Sequence, residues 1–365
     1  MSAARDLAEW VSTLRYEDIP PSVLERARLQ VVSVLAAVLA GSKLAPYRAL
    51  LRSAEQWGSG TDATIIPSGR TTSTHTAAYV NAAASVSIDY DDYLFAGHTG
   101  HSAVLGSLAF AEATGADGRA LITAQVAANE VAGRLGASFL LGPHNGQMWA
   151  YIHALAGAVV GGRFLGPDAT AIEHAVGIAL AQPPWPLAAG FFGPDSKMVL
   201  ASEPLTAGMR AASLASEGVT GGARVIEEML EKIAACALPF VTSGLGTSWV
   251  TESLAYKVIP GCAYIDTPVE AMAECMRAFA EKHGRALAAK DVASIRVECT
   301  LLTAGMELMS APKRTSRRRS TLLGRNQYMK AKAPKVGGSA SKNCQAGPPA
   351  MAESRGITER STVVE

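Results

Sequence analysis

The stretch IPPSVLERARLQVVSVLAAVLAG, residues 19–41, decides the class of fold. Ser22 and Glu25 have the spacing of a capping box, and Gly41 can sit just past a helix end. Between these signals lies one long helix. Its apolar run, VVSVLAAVLAG (31–41), is too short to span a bilayer. The same grammar repeats downstream. Segments 72–86, 102–114, 117–139, 149–164, 168–182, 203–217 and 222–235 are rich in Ala, Leu and Val, with Gly, Pro or Asp near their ends. Strand signals are sparse before residue 255; one appears at VASIRVECTLL (292–302), after a helix at 267–283. The expectation is a mainly α protein: a large all-helical domain over 1–255, a smaller and apparently truncated α+β domain over 256–310, and a tail over 311–365.

The tail has a different character. It carries twelve Lys/Arg against three Asp/Glu, a charge of +9, which leaves −8 on the rest of a 365-residue chain of net charge +1. It is rich in Ser, Gly and Pro and lacks apolar periodicity, so it is expected to be disordered, with a non-native, out-of-frame origin as the alternative. The mildly acidic body gives no reason to expect nucleic-acid binding. The N-terminus has no signal-type apolar run, so no membrane association and a cytoplasmic location are expected. The five cysteines, Cys236, Cys262, Cys275, Cys299 and Cys344, are odd in number and never in CxxC spacing, which argues against a disulfide framework or a cysteine zinc site.

Chemistry concentrates in IDYDDYLFAGHTGHSAV, residues 88–104. Asp89, Asp91 and Asp92 precede His98 and His101. Read alone, the stretch fits a polar loop, an acid/base site or a metal site, although no strict metal pattern is present. Acids at a helix C-terminus are not favoured by the macrodipole, which hints at a role. Elsewhere His153 is a lone polar residue on a small-residue helix, Lys197 follows a Gly/Pro/Asp turn, and Lys257 precedes a proline turn. Glu130 and Arg134, four apart in an apolar helix, read as a buried ion pair.

In this order the landmarks resemble the MmgE/PrpD family. They are ERARLQVVSVLAAVLAGS (25–42), AAYVNAAASVSIDYDD (77–92), GHTGHSAVLGSLAFAEATG (97–115), HALAGAVVGGRFLG (153–166), AVGIALAQ (175–182), SKMVLASEPLTAGMRAASLASEGVTGG (196–222) and YKVIPGCAYIDTPVEAM (256–272). The resemblance implies a homodimeric lyase that needs no metal or organic cofactor and acts on a small di- or tricarboxylate. The expected activity is 2-methylcitrate dehydratase-like. A cis-aconitate-type decarboxylase or an epimerase is the near alternative, and a catalytically inactive helical binding protein the distant one. It also implies an acid/base pair in His98 and His153, supported by Asp89, with His101 able to share or replace the role of His98. Lys197 and Lys257, with Asp91, would bind substrate. Histidine suits such work near neutral pH, and a neighbouring carboxylate fixes its tautomer.

The chain departs from the family pattern at Ser33 for Asp, Ser85-Val86 for Ala-His, Thr99 for Pro, Val258-Ile259 for Pro-Tyr and Asp266 for His. A carboxylate at 266 would repel a polycarboxylate if it faced the pocket. The resemblance ends near residue 305, and typical members are expected to be about a hundred residues longer than this chain.

Overall fold

The computed structural model describes residues 2–94, 97–138, 149–166, 168–182, 184, 190, 194–233, 239–261, 266–299 and 362–364. It divides into two compact units, the first running from Met1 to Pro260 and the second beginning at Gly261. The first unit therefore includes Lys257.

The first unit is built from helices α1 (Ala3–Thr13), α2 (Pro21–Gly41), α3 (Ala45–Ala54), α4 (Thr74–Val86), α5 (Gly100–Thr114), α6 (Gly118–Ser138), α7 (Trp149–Leu165), α8 (Ala169–Ala181), α9 (Val199–Ser216), α10 (Val225–Ile233) and the single turn α11 (Pro239–Thr242). Two short antiparallel pairs accompany them: β1 (Ala63–Ile65) with β2 (Arg70–Thr72), and β3 (Asp92–Tyr93) with β4 (Ala255–Tyr256). The second unit holds α12 (Asp266–His283) and an antiparallel pair, β5 (Val297–Cys299) with β6 (Thr362–Val364). The mainly α fold expected from the sequence is the one found.

Several local expectations change. Helix α2 begins at Pro21, whose missing N–H is no loss in the first turn. Ser22 makes no capping box; its hydroxyl donates to Glu252 at 2.6 Å instead. Gly41 lies inside the helix rather than beyond it. A Cβ there would meet the Ala84 carbonyl oxygen at 2.0 Å, so the glycine lets α2 lie directly against α4. Helix α9 starts four residues before the expected 203, directly after a 3₁₀ turn over Asp195–Met198. The strand expected over 292–302 is described only at Val297–Cys299. Its partner, the β-branched Thr362–Val364, comes from within the expected tail; the rest of 311–365 lies outside the described residues.

Small residues set the interhelix distances that position the site. A Cβ on Gly208 of α9 would lie 2.0 Å from the Ala154 carbonyl oxygen of α7, and one on Gly157 would lie 2.3 Å from the Leu205 carbonyl oxygen. The α7 and α9 backbones thus touch where His153 is mounted. The core around them is apolar and fully enclosed, with Tyr151, Leu155, Leu205 and Met209 buried. The expected Glu130–Arg134 ion pair forms, at 3.5 Å between Glu130 Oε2 and Arg134 Nε. Glu130 also accepts from the Val250 and Thr251 amides and the Thr251 hydroxyl, tying α6 to the segment that leads into β4.

Candidate active site

All seven sequence-selected residues, Asp89, Asp91, His98, His101, His153, Lys197 and Lys257, fall in the first unit. Six of them join one continuous network through Asp89 and Asp91, and His153 lies beside it. Asp89 sits in the turn after α4, with φ +56°, among the described residues the one non-glycine in the left-handed region. That conformation costs about 1 kcal/mol for an L-residue, and aspartate is among the side chains that tolerate it. Its surroundings hold it there. Lys197 Nζ lies 2.9 Å from Asp89 Oδ2. Lys257 Nζ donates to the Asp89 carbonyl at 3.1 Å, to Asp89 Oδ1 at 3.4 Å and to Asp91 Oδ1 at 2.5 Å. An ammonium has three N–H donors, and these three bonds engage all of them. The two ammoniums also answer the unfavourable placement of acids at the end of α4.

Asp91 is the hub. One carboxylate oxygen takes Lys257; the other, Oδ2, lies 2.6 Å from His98 Nδ1 and 2.9 Å from His101 Nε2. Burial by itself would push this carboxyl up. The charges of His98 and Lys257, with hydrogen bonds from His101 and His98, outweigh it and hold Asp91 well below the usual carboxylate range.

His98 is the member of the cluster open to solvent, with 23% of its side chain exposed. Its Nδ1 faces two acceptors, Asp91 Oδ2 and the Asp92 carbonyl at 3.0 Å. Neither can donate, so Nδ1 carries a proton.

His101 and His153 are buried. His101, on the first turn of α5, spans Asp91 and the hydroxyl of Ser85 on α4, the latter 2.7 Å from Nδ1. His153, on α7, has Nδ1 2.9 Å from the Ser102 hydroxyl of α5. Ring centroids of His98 and His101 are 6.4 Å apart, and those of His101 and His153 are 5.9 Å apart. Burial drives His153 well below 6.5, and the charges of His101 and His98 add to that; Asp91 opposes only in part. His153 is thus a neutral imidazole at neutral pH, while His98 is set against a carboxylate.

Asp92 faces the other way. Its Oδ2 accepts from Gln30 Nε2 at 2.8 Å and from the Gly100 amide at 3.2 Å. Gln30 Oε1 in turn accepts from Gln125 and Asn129 of α6, each at 2.8 Å. This buried amide layer anchors the acidic turn to α2 and α6. Burial pushes the Asp92 carboxyl up, with the Gln30 hydrogen bond opposing.

Sequence reasoning did not single out Ser85 or Ser102 as partners of imidazoles, nor Gln30, Gln125 and Asn129. A buried Gln or Asn inside an apolar helix was the available signal for the last three. Asp266 opens α12 in the second unit, where a carboxylate complements the helix N-terminus. Among the described residues no group of three or more His, Cys, Asp or Glu is arranged to hold a metal ion, and no single helix is long and apolar enough to cross a membrane.

The model of the MmgE/PrpD N-terminal domain matches residues 5–236, most of the helical unit. The chain belongs to the MmgE/PrpD family. Among curated proteins it is similar to the cis-aconitate decarboxylase of Aspergillus terreus strain NIH 2624, with 26% identity over 305 residues, covering 77% of this chain and 61% of that enzyme. A second cis-aconitate decarboxylase of Aspergillus terreus aligns with the same identity and coverage. The chain thus spans about three-fifths of the length of the curated relatives it matches. The family match covers α1 to α10 and hence every site residue except Lys257; the matching family landmark for that lysine is YKVIPGC.

Proposed function

We propose that this protein is a cofactor-independent lyase for a small di- or tricarboxylate, with decarboxylation of a cis-aconitate-like substrate as the leading reaction. The observation that carries the reading is the pairing of His98 with Asp91 beside two buried lysines, in a chain similar to cis-aconitate decarboxylases.

The geometry divides the labour. Lys197 is assigned to a substrate carboxylate, which would share its ammonium with Asp89. Lys257, committed to Asp89 and Asp91, is assigned to hold those two carboxylates in place, a different role from substrate binding. Asp91 orients His98. In the forward step the C–C bond to a carboxylate breaks and carbon dioxide leaves. The electron pair passes into the adjacent unsaturated system, and His98 delivers a proton to carbon. Proton transfer of this kind contributes on the order of 10²–10⁴-fold to rate.

Dehydration of a 2-methylcitrate-like substrate is the second reading, favoured by one observation. His153 is held neutral by burial while His98 faces a carboxylate. In elimination of water His153 would take a proton next to a carboxylate and His98 would give one to the departing hydroxyl.

Incubation with cis-aconitate, 2-methylcitrate, citrate and iminodisuccinate in heavy water, followed by proton NMR, separates the chemistries. Loss of carbon dioxide with deuterium at carbon is expected. Olefin formation from 2-methylcitrate would select dehydration, and α-proton exchange alone would select epimerisation. No change in any substrate would overturn the lyase reading. Cytoplasmic location and the homodimer belong to the same proposal; sedimentation at micromolar concentration checks the second. Leu29, Val32 and Leu39 leave an exposed apolar flank on α2 that would suit self-association.

A further inference from the structure

The turn that carries His98 is held at both ends by one side chain. It runs from Asp92, in β3, to Thr99, just ahead of α5. Leu94 and Gly97 close it on itself with backbone hydrogen bonds of 2.8 and 2.9 Å. Gln30, midway along α2, reaches its two ends. Gln30 Nε2 lies 2.8 Å from Asp92 Oδ2 and 3.1 Å from Thr99 Oγ1. The Gly100 amide, next in the chain, donates to the same Asp92 oxygen at 3.2 Å. The Gln30 amide is itself oriented from behind. Gln125 Nε2 and Asn129 Nδ2 of α6 both donate to its Oε1, so the oxygen faces α6 and the nitrogen faces the turn. Nε2 has two protons, and its third acceptor, Asn129 Oδ1, is the farthest at 3.3 Å. Gln30, Asp92, Thr99, Gln125 and Asn129 are all at 0% exposure, so bulk water does not take over these bonds.

We infer that Gln30 is a positioning residue for the proposed proton transfer: it clasps the two ends of the His98 turn and so sets where the ring stands. Asp91 Oδ2 and the Asp92 carbonyl already settle that His98 Nδ1 carries a proton. They do not settle where the turn lies, because Asp92 opens the turn, Asp91 adjoins it, and both would move with it. The β3–β4 pairing holds the leading end alone. Gln30 holds both ends, and it reaches them from outside the turn, 62 residues before Asp92 in the chain. The turn rests on α7, where a Cβ on Gly97 would meet Ile152 Cδ1 at 2.4 Å, one residue before His153. A displaced turn therefore changes the spacing between His98 and the α7 histidine. Misplacing a reacting group by about 1 Å costs on the order of 10²-fold in rate. Lys197, assigned to the substrate carboxylate, sits on another element, the 3₁₀ turn over Asp195–Met198. Loss of the clasp thus acts on the chemical step more than on binding. Gln30 does this without touching substrate.

The kinetic consequence rests on the lyase reading and the structural one does not, so the two can fail separately. Two variants of the full-length protein test the clasp. Gln30→Met keeps the length of the side chain and removes its amide; Thr99→Val keeps the shape and removes one arm. Hydrogen–deuterium exchange read by mass spectrometry follows the segment 92–100. Exchange there should speed up about tenfold in Gln30→Met and about threefold in Thr99→Val, with α2 and α6 within about twofold of wild type. Unchanged exchange over 92–100 would overturn the proposal. Equal loosening of α2 and α6 would overturn it too, because that is the signature of a packing residue rather than a clasp. Thr99→Val, the milder change, decides alone if Gln30→Met does not fold. On turnover, Gln30→Met should lower kcat about tenfold with KM within about twofold. Thr99→Val should add nothing in the Gln30→Met background. A raised KM with kcat intact, or a Thr99→Val effect undiminished in that background, means Gln30 does not act by holding the turn, and the proposal falls. If the wild type converts no polycarboxylate, the lyase reading fails while the exchange rates still decide the role of Gln30.

Discussion

Asp91 and Asp92 are neighbours in the chain and opposites in the fold. Asp91 points toward three cationic or protonatable groups, His98, His101 and Lys257, and is pulled well below the usual carboxylate range. Asp92, in the short strand β3, points toward the neutral amides of Gln30 and Gly100 and is pushed up. Successive side chains of an extended segment leave on opposite faces, so one step in sequence carries a carboxylate from the reactive cluster to the scaffold. Burial is the same for both; the partners decide the sign. One aspartate gathers the histidines and Lys257, and the other anchors the turn to α2 and α6.

The sharpest way to break this comparison is Asp91→Asn. It removes the charge that balances Lys257 and the imidazoles and the acceptor that orients His98. Turnover should fall on the order of 10²–10³-fold, and stability by about 3–5 kcal/mol, as for a buried pair stripped of one member. Steady-state kinetics and denaturant unfolding check both; activity within threefold of wild type would mean Asp91 is not the hub.

Gly100→Ala attacks the other side. A Cβ at this first residue of α5 would lie 2.0 Å from Asp92 Oδ1 and 2.5 Å from a Val34 methyl. Neither neighbour is a flexible tip in open space, so the start of α5 must shift, at a cost of about 1–3 kcal/mol. His101 and Ser102 ride on that turn, so kcat should drop along with the melting temperature.

A third test uses pH. His153 in the folded protein lies well below its unfolded value of 6.5. Below about pH 6.5 the unfolded chain takes up a proton that the folded chain refuses, so this residue lowers stability as pH falls and contributes nothing above 6.5. Replacing it with Asn should flatten the acid side of the stability curve, by at most about 1.4 kcal/mol per pH unit. Unfolding titrations at pH 5, 6 and 7 measure the slope; identical slopes in both proteins would contradict a buried neutral His153.

The smallest effect is expected from Asp92→Asn. An asparagine oxygen can still accept from Gln30 and Gly100. Because the folded carboxyl is raised, its ionisation disfavours folding as pH climbs from 3.8 through the folded value, and the variant removes that term. At neutral pH the change should stay within about 1 kcal/mol of wild type. A loss as large as that of Asp91→Asn would erase the distinction between the two neighbours.

Much of the fold was legible because long Ala-, Leu- and Val-rich segments bounded by Gly, Pro and Asp have few ways to bury their surface other than as packed helices. Boundaries were less legible. Gly41 reads as a stop signal, yet α2 continues through it because the contact with α4 needs a residue without a side chain. Val297–Cys299 was readable as a strand, but pairing with Thr362–Val364, more than sixty residues on, leaves no local trace. In the site, residue types announced themselves: Asp, His and Lys in otherwise apolar surroundings, in an order that matches a family. Ser102 did not, because a serine in the first turn of a helix has an ordinary local explanation.

The sequence by itself determined a mainly helical protein, its family, and the residue types of the candidate site. The helices follow from composition and periodicity, and the family from the order of its landmarks along the chain. Only the tertiary structure decided that Asp91 rather than Asp89 joins the two histidines and that Lys257 reaches both aspartates. It alone also made His153 neutral. These properties depend on which groups from α4, α5, α7 and β4 meet at hydrogen-bond distance and how far water is kept away, and neither quantity exists until the helices pack.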